Sequence, residues 1–272
     1  MIRIFLLLSL FVWAEKPNLL LLKTYKNQNI DGWVMSEKLD GVRAYWNGKV
    51  LLSRGGKIIH APAWFIKDYP PFAIDGELWT KREDFENIVS IVRDKVPSAE
   101  WLQIKHYIVE VPDAKGDLFE RLSKVKPYEN KVIHILPQIY VKDKKHLETL
   151  HKALDEKGAE GVVVRDPKMP YIGERTSTAL KVKYFKDAEC EVIGHTQGKG
   201  KYQGMLGALK CRLDNGILFK IGTGLSDNER RNPPKVGSRV TFKYQNMTKY
   251  GKPRFPVFLR VRTLSNIMEY IK

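Results

Sequence analysis

The 272 residues carry 47 Lys and Arg against 31 Asp and Glu, a net charge of +16, and 43% of them are hydrophobic. That composition supports a sizeable core in one large domain or two modest ones, and the charge points to a polyanionic partner, nucleic acid before an anionic membrane surface. Two cysteines, Cys190 and Cys211, exclude a zinc knuckle, and beyond the first fourteen residues no run approaches the length of a membrane-spanning helix.

The chain opens with Arg3, an apolar run over 4–12 broken only by Ser9, and Val12-Trp13-Ala14 ahead of Glu15. This pattern predicts a secretory signal peptide over 1–14, too short to span a bilayer; a buried N-terminal strand or helix is the alternative. Periplasmic residence follows from it, or cytoplasmic residence if the segment is not cleaved, with no stable membrane association after cleavage. Strands are predicted at 33–35, 43–46 and 50–53, with a hairpin at Asn47-Gly48, and another at 73–79. Phe85, Ile88, Val89 and Val92 give 82–92 helical spacing. A strand at 107–111, an amphipathic helix over 144–157 ended by Gly158, and strands at 161–165 and 180–184 follow.

The character changes at Lys186-Asp187. From there the pattern is all strand and turn, with strands at 190–195, 208–213, 217–221, 239–245 and 255–262, which predicts a small closed barrel of the OB type. Residues 187–272 hold 16 Lys and Arg against 7 Asp and Glu, so a net of +9 lies in under a third of the chain. Such a barrel is a common nucleic-acid platform. Cys190 and Cys211 flank a Gly-rich stretch, where they could pair as a disulfide or remain buried free thiols.

The chemistry starts at Glu37-Lys38-Leu39-Asp40-Gly41-Val42-Arg43. A lysine attacks covalently only as the neutral amine, which calls for burial, converging cations or a metal ion around it. Ser53-Arg54-Gly55-Gly56-Lys57 puts an arginine beside a glycine-permitted turn, a shape suited to gripping phosphate. Asp75-Gly76-Glu77-Leu78 and Glu160-Gly161-Val162-Val163-Val164-Arg165 each set a carboxylate on or beside an apolar strand, where it has to be paired or metal-bound. Leu180-Lys181-Val182-Lys183 places two lysines on one strand face, with an anion expected between them.

In this order and spacing the five strings resemble the covalent nucleotidyltransferase superfamily of ATP-dependent DNA ligases, RNA ligases and mRNA capping enzymes. Within it, Phe219-Lys220-Ile221-Gly222-Thr223-Gly224-Leu225-Ser226-Asp227 and the tail Pro253-Arg254-Phe255-Pro256-Val257-Phe258-Leu259-Arg260-Val261-Arg262 resemble ligases. The small size and leading signal sequence are similar to the minimal bacterial ATP-dependent DNA ligases. The resemblance implies an α+β fold: an adenylation (nucleotidyltransferase) domain with antiparallel sheets over 15–186, then an all-β OB-fold barrel over 187–272.

It also implies roles. Lys38 takes AMP from ATP, and Mg²⁺ or Mn²⁺ is held by Glu160 and Glu77, the latter also placed near the ribose. Lys181 and Lys183 hold the α-phosphate, and Arg43 and Arg54 bind nucleotide and nick phosphates. Arg254 and Arg262 orient the leaving pyrophosphate. The adenine-stacking position falls on Val109 or Tyr107 of one strand face. The implied partner is nicked duplex DNA, bound by a monomer, with Lys199 and Lys201 of the Gly-rich hairpin touching its backbone.

Overall fold

The computed structural model describes residues 16–262 apart from Tyr184 and Lys249, so the predicted leader lies outside the described residues. The chain divides into two units, the first ending at Val182 and the second beginning at Lys183.

The first unit opens with β1 (Leu21–Thr24), β2 (Val34–Glu37), β3 (Val42–Trp46) and β4 (Leu51–Ser53), then a single turn α1 (Ala63–Ile66) and β5 (Ile74–Trp79). Next come α2 (Phe85–Arg93), β6 (Lys105–Glu110), α3 (Leu118–Ser123), β7 (Ile133–Ile135) and β8 (Ile139–Tyr140). It closes with α4 (Lys144–Asp155), β9 (Val162–Arg165) and β10 (Arg175–Val182).

These strands form two five-stranded sheets, ordered β1-β10-β9-β2-β8 and β4-β3-β5-β6-β7. The pairings are antiparallel except β1 with β10 and β6 with β7. The expected antiparallel sheets thus each carry one parallel pair. The β6–β7 link runs through α3, a crossover long enough to return the chain in the same direction.

The predicted hairpin forms at Asn47-Gly48, with Gly48 at φ 91 and the Asn47 side-chain oxygen accepting from the amides of Lys49 and Val50. Strand β10 starts earlier than predicted and stops at Val182, so Lys181 lies on the strand and Lys183 beyond its end. The expectation of two lysines on one strand face therefore does not hold.

One core packs α2 and α3 on the second sheet around Phe65, Ile88, Ile91, Trp101 and Ile108; the other packs α4 on the first sheet around Met35, Leu147, Val162 and Val164. The start of α3 is fixed by a capping box between Asp117 and Glu120.

The second unit holds β11 (Lys186–Gln197), β12 (Leu206–Arg212), β13 (Leu218–Ile221), α5 (Asp227–Arg231), β14 (Arg239–Tyr244) and β15 (Val257–Val261). Its sheet runs β13-β12-β11-β14-β15, all antiparallel. Two expectations are corrected here. Among the described residues the two edges meet only at one bridge, Thr223 to Val257, so paired strands do not close the barrel. The unit is also not all strand and turn, because a Ser226–Glu229 capping box starts α5. The cause of both lies after β13. Gly224, at φ 84, sits against the Phe258 carbonyl with no space for a Cβ, and there the chain leaves the sheet for the helix.

Cys190 and Cys211 are free and buried in the core of this unit. The hydrogen bond to Cys211, together with burial, pushes the Cys190 thiol up.

Candidate active site

A cleft opens in the first unit. Leu22, Ser36, Glu37, Val163, Arg165 and Ala179 line it from one sheet, and Arg43, Glu77, Val109 and Glu110 from the other. Lys38 lies at its wall, directly after β2, where its backbone amide donates to the Gly161 carbonyl at 2.9 Å. The pairing of β2 with β9, Glu37 opposite Val162, brings Lys38 beside the segment entering β9. Across that junction the Lys38 amine forms an ion pair with Glu160, their side chains 23% and 9% exposed. The lysine amine is thus met directly by a carboxylate, with Arg43 and Arg165 lining the same cleft.

Glu77 is half-buried on β5, facing the same cleft. Burial pushes its carboxyl up to about 7; Lys38 and Arg43 work against that shift, and Glu160 and Asp75 add to it. Gly41 allows this closeness, since a Cβ there would stand 2.2 Å from the Leu78 carbonyl and 3.0 Å from the Glu77 side chain.

The raised Glu77 carboxyl makes a pH prediction. Between its ordinary value near 4.5 and about 7, the folded chain holds a proton that the unfolded chain releases. The stability this contributes is present below 4.5 and is lost as pH rises through 7. Glu77→Gln cannot ionise, so its Tm relative to the wild type should climb from pH 4.5 to 8. A constant Tm difference across that range would refute the assignment.

Arg43 is held in a fork by Asp75, with Nε to Oδ1 at 2.6 Å, and its Nη2 also donates to the Leu20 carbonyl at 3.3 Å. Burial opposes its charge, and Asp75 more than compensates, raising its pKa. The Tyr171 hydroxyl joins the same knot, accepting from the Leu20 amide and donating to Asp75. Arg43 therefore reaches the cleft already committed to a carboxylate. Arg54 is exposed in the 53–57 turn, whose geometry is set by Gly56 at φ 81 and by the Ser53 hydroxyl accepting from the Lys57 amide.

Val109 lines the cleft, and its carbonyl accepts from Arg165 Nη1 at 2.9 Å. The Tyr107 ring is instead stacked on His134 and edge-on to Trp79. Of the two adenine candidates, Val109 faces the cleft. Lys181 pairs with Val163 in the sheet and does not line it.

In the second unit, Lys183 donates to Gln245, and both Lys183 and Arg254 lie over the Phe255 ring. Arg262 is exposed and ion-paired with Glu189, and Lys199 and Lys201 are exposed in the loop after β11.

Sequence reasoning missed Tyr171, Leu20 and the Glu37–Arg82 fork at 2.7 and 2.8 Å. It also missed the buried group formed by Glu110, Arg121 and Arg165. The Asp117-x-x-Glu120 capping signature could have announced α3, which carries Arg121.

Among the described residues no three His, Cys, Asp or Glu side chains gather closely enough to cage a metal by themselves. A small hard cation needs less, since one or two carboxylates suffice when substrate phosphates complete its shell. Glu160 and Glu77 fit that demand, because the charge of Glu160 is among the causes that hold the Glu77 carboxyl up.

Residues 197–262 match the model of a DNA ligase OB-like domain. The chain is 50% identical over 256 residues to a curated DNA ligase of Haemophilus influenzae, covering 93% of this chain and 94% of the relative. A solved structure from a structure–function study of DNA binding by Lig E DNA ligases superposes with a TM-score of 0.86 at 41% identity, covering 90% of this chain and 98% of that one. The Chlorella virus DNA ligase-adenylate superposes at 0.54 with 26% identity, over 92% and 99% of the two chains.

Proposed function

The chain belongs to the DNA ligases, in their minimal ATP-dependent form, and from that premise we propose that it seals nicks between a 5′-phosphate and a 3′-hydroxyl in duplex DNA through a lysyl-AMP at Lys38. The observation that carries this reading is the pairing of Lys38 with Glu160 at the wall of a cleft that Glu77 and Arg43 also face.

In the first step, the Lys38 ammonium releases a proton to solvent, and the neutral amine attacks the α-phosphorus of ATP. A nitrogen–phosphorus bond forms, and the bond to pyrophosphate breaks in line. Because Glu160 holds the amine as an ion pair, the lysine becomes a nucleophile only when that carboxylate is drawn elsewhere. Glu160 and Glu77 would hold a divalent cation, which would supply positive charge at the phosphates and draw Glu160 from the amine. Val109 and Leu39 offer apolar surface for the base, and the Asp75-held Arg43 presents fixed positive charge. In the second step the 5′-phosphate at the nick displaces Lys38 from AMP. In the third, the 3′-hydroxyl attacks that phosphate, the strand closes and AMP leaves. Each step relies on positioning and charge rather than on bonds to further residues. Lys181, Lys183, Arg254, Arg262 and Arg54 are assigned to phosphates by their place in the ligase strings.

A sealing assay tests the reading. With ATP, a nicked duplex bearing a 5′-phosphate should be joined, and a 5′-hydroxyl nick should not. Joining only of nicked RNA, or labelling only by GTP, would move the chain to another branch of the superfamily.

A further inference from the structure

The loop between β11 and β12 is Gly-rich and basic, yet it is built rather than slack. Its amides and carbonyls close on each other: Gly198 to Met205, Tyr202 to Lys199, Gln203 to Gly200 and Met205 to Tyr202. Residues Gly200–Tyr202 form a short 3₁₀ turn. Two glycines let the neck close. A Cβ on Gly198 would stand 2.1 Å from the Tyr202 carbonyl, and one on Gly207 would stand 2.5 Å from the Gln197 carbonyl.

Beneath this loop lies Arg230 of α5, 5% exposed. Its Nη1 donates to the carbonyls of Leu206 and Gly207 at 2.9 and 3.0 Å, and its Nη2 to that of Gly222 at 2.8 Å. One buried cation thus ties the start of β12 to the end of β13. Its guanidinium carbon also sits 4.0 Å from the centre of the Tyr202 ring, and the Lys201 amine sits 4.6 Å from the same centre. Stacking a guanidinium on a ring favours one arrangement of a short loop. The loop leaves Lys199, Lys201 and Gln203 in solvent, and its two charged side chains there are both cations.

We propose that Arg230 is a positioning residue for DNA binding, which through the Tyr202 ring fixes the 198–205 loop so that Lys199 and Lys201 meet phosphates of the duplex as a preformed pair. This rests on the DNA-ligase reading above. Arg230 touches no substrate; it removes the entropy that two lysines on a free glycine loop would lose on binding.

Tyr202→Leu is the decisive variant, because it removes the ring and leaves the three carbonyl bonds of Arg230 in place. Its affinity for nicked duplex should fall on the order of tenfold, and the log–log salt slope should become shallower by about one to two. Labelling by α-labelled ATP should stay at the wild-type level, which controls for folding. Tyr202→Phe keeps the ring and should behave as wild type. Trypsin should cut after Lys199 faster in Tyr202→Leu than in Tyr202→Phe without any DNA present. The double variant Lys199→Ala/Lys201→Ala separates two failures. If it weakens DNA binding while Tyr202→Leu does not, the positioning role is wrong. If it binds DNA with unchanged affinity and slope while wild-type sealing is intact, the loop does not contact DNA and the proposal falls without the ligase reading.

Discussion

Lys38→Ala should lose lysyl-AMP formation and sealing together, by the 10⁵–10⁶-fold or so that removal of a covalent nucleophile costs, while nicked-DNA binding persists. The argument is chemical. Among the residues lining the cleft, Lys38 is the only amine, and the alternative cations there, Arg43 and Arg165, are guanidiniums that stay protonated and cannot attack phosphorus. Lys38→Arg sharpens the result. It keeps a positive charge opposite Glu160, so the local fold and the ion pair are retained, and activity should still vanish. Loss in Lys38→Ala with retention in Lys38→Arg would mean that the charge matters and the nucleophile lies elsewhere. The readouts are transfer of labelled AMP to protein and gel-shift affinity for a nicked duplex.

The largest effect on stability should come from Glu110→Gln. Glu110 and Arg121 are each 1% exposed and Arg165 is 10% exposed, so the group is cut off from solvent. Arg121 reaches the carboxylate with Nε at 2.8 Å and Nη2 at 2.9 Å, Arg165 donates to the same Oε2 that Arg121 Nη2 reaches, and the Val111 amide donates to Oε1 at 2.9 Å. Burial pushes the Glu110 carboxyl up, and the two arginines overcome that push and hold it below its usual value. Removing the one negative charge leaves two buried guanidiniums facing each other, at a cost of about 3–5 kcal/mol. That is a large share of the roughly 5–15 kcal/mol that holds a domain folded. Chemical denaturation should show the midpoint falling with little change in slope. Because Arg165 also fixes the Val109 carbonyl, the KM for ATP should rise in whatever fraction stays folded. A stability within about 0.5 kcal/mol of wild type, the scale of a surface substitution, would contradict this account.

The sequence disclosed the site in outline because its strings are local. Lys38 and Glu160 are each recognisable by neighbours within a few residues, and the β-branched run of β9 makes its strand evident. Their meeting depends on the β2–β9 pairing, for which no single segment carries a mark. Partners joined across long separations stayed hidden for the same reason. Asp75 could be read as a strand carboxylate, but its capture of Arg43 could not, and Tyr171, 96 residues away, carries no local signal at all. Capture by Asp75 limits what Arg43 can offer a phosphate, a limit invisible in the string Asp40-Gly41-Val42-Arg43. The closed barrel was expected from strand count and spacing, which do not encode whether edges meet. The turn at Gly222–Gly224 and the capping box at Ser226 decide that instead. Alternation along β6 leaves Tyr107 and Val109 both half-buried on one face, and the Tyr107 ring packs against Trp79 and His134, contacts no local pattern announces.

The central claim is that Lys38 carries the AMP. The most direct measurement is peptide mapping by mass spectrometry after brief incubation of the wild-type protein with ATP and Mg²⁺, then chase with nicked duplex. The account predicts one AMP adduct, on the peptide containing Lys38, that disappears on the chase as sealed strand forms. An adduct on another residue, or sealing without an adduct at Lys38, would contradict it.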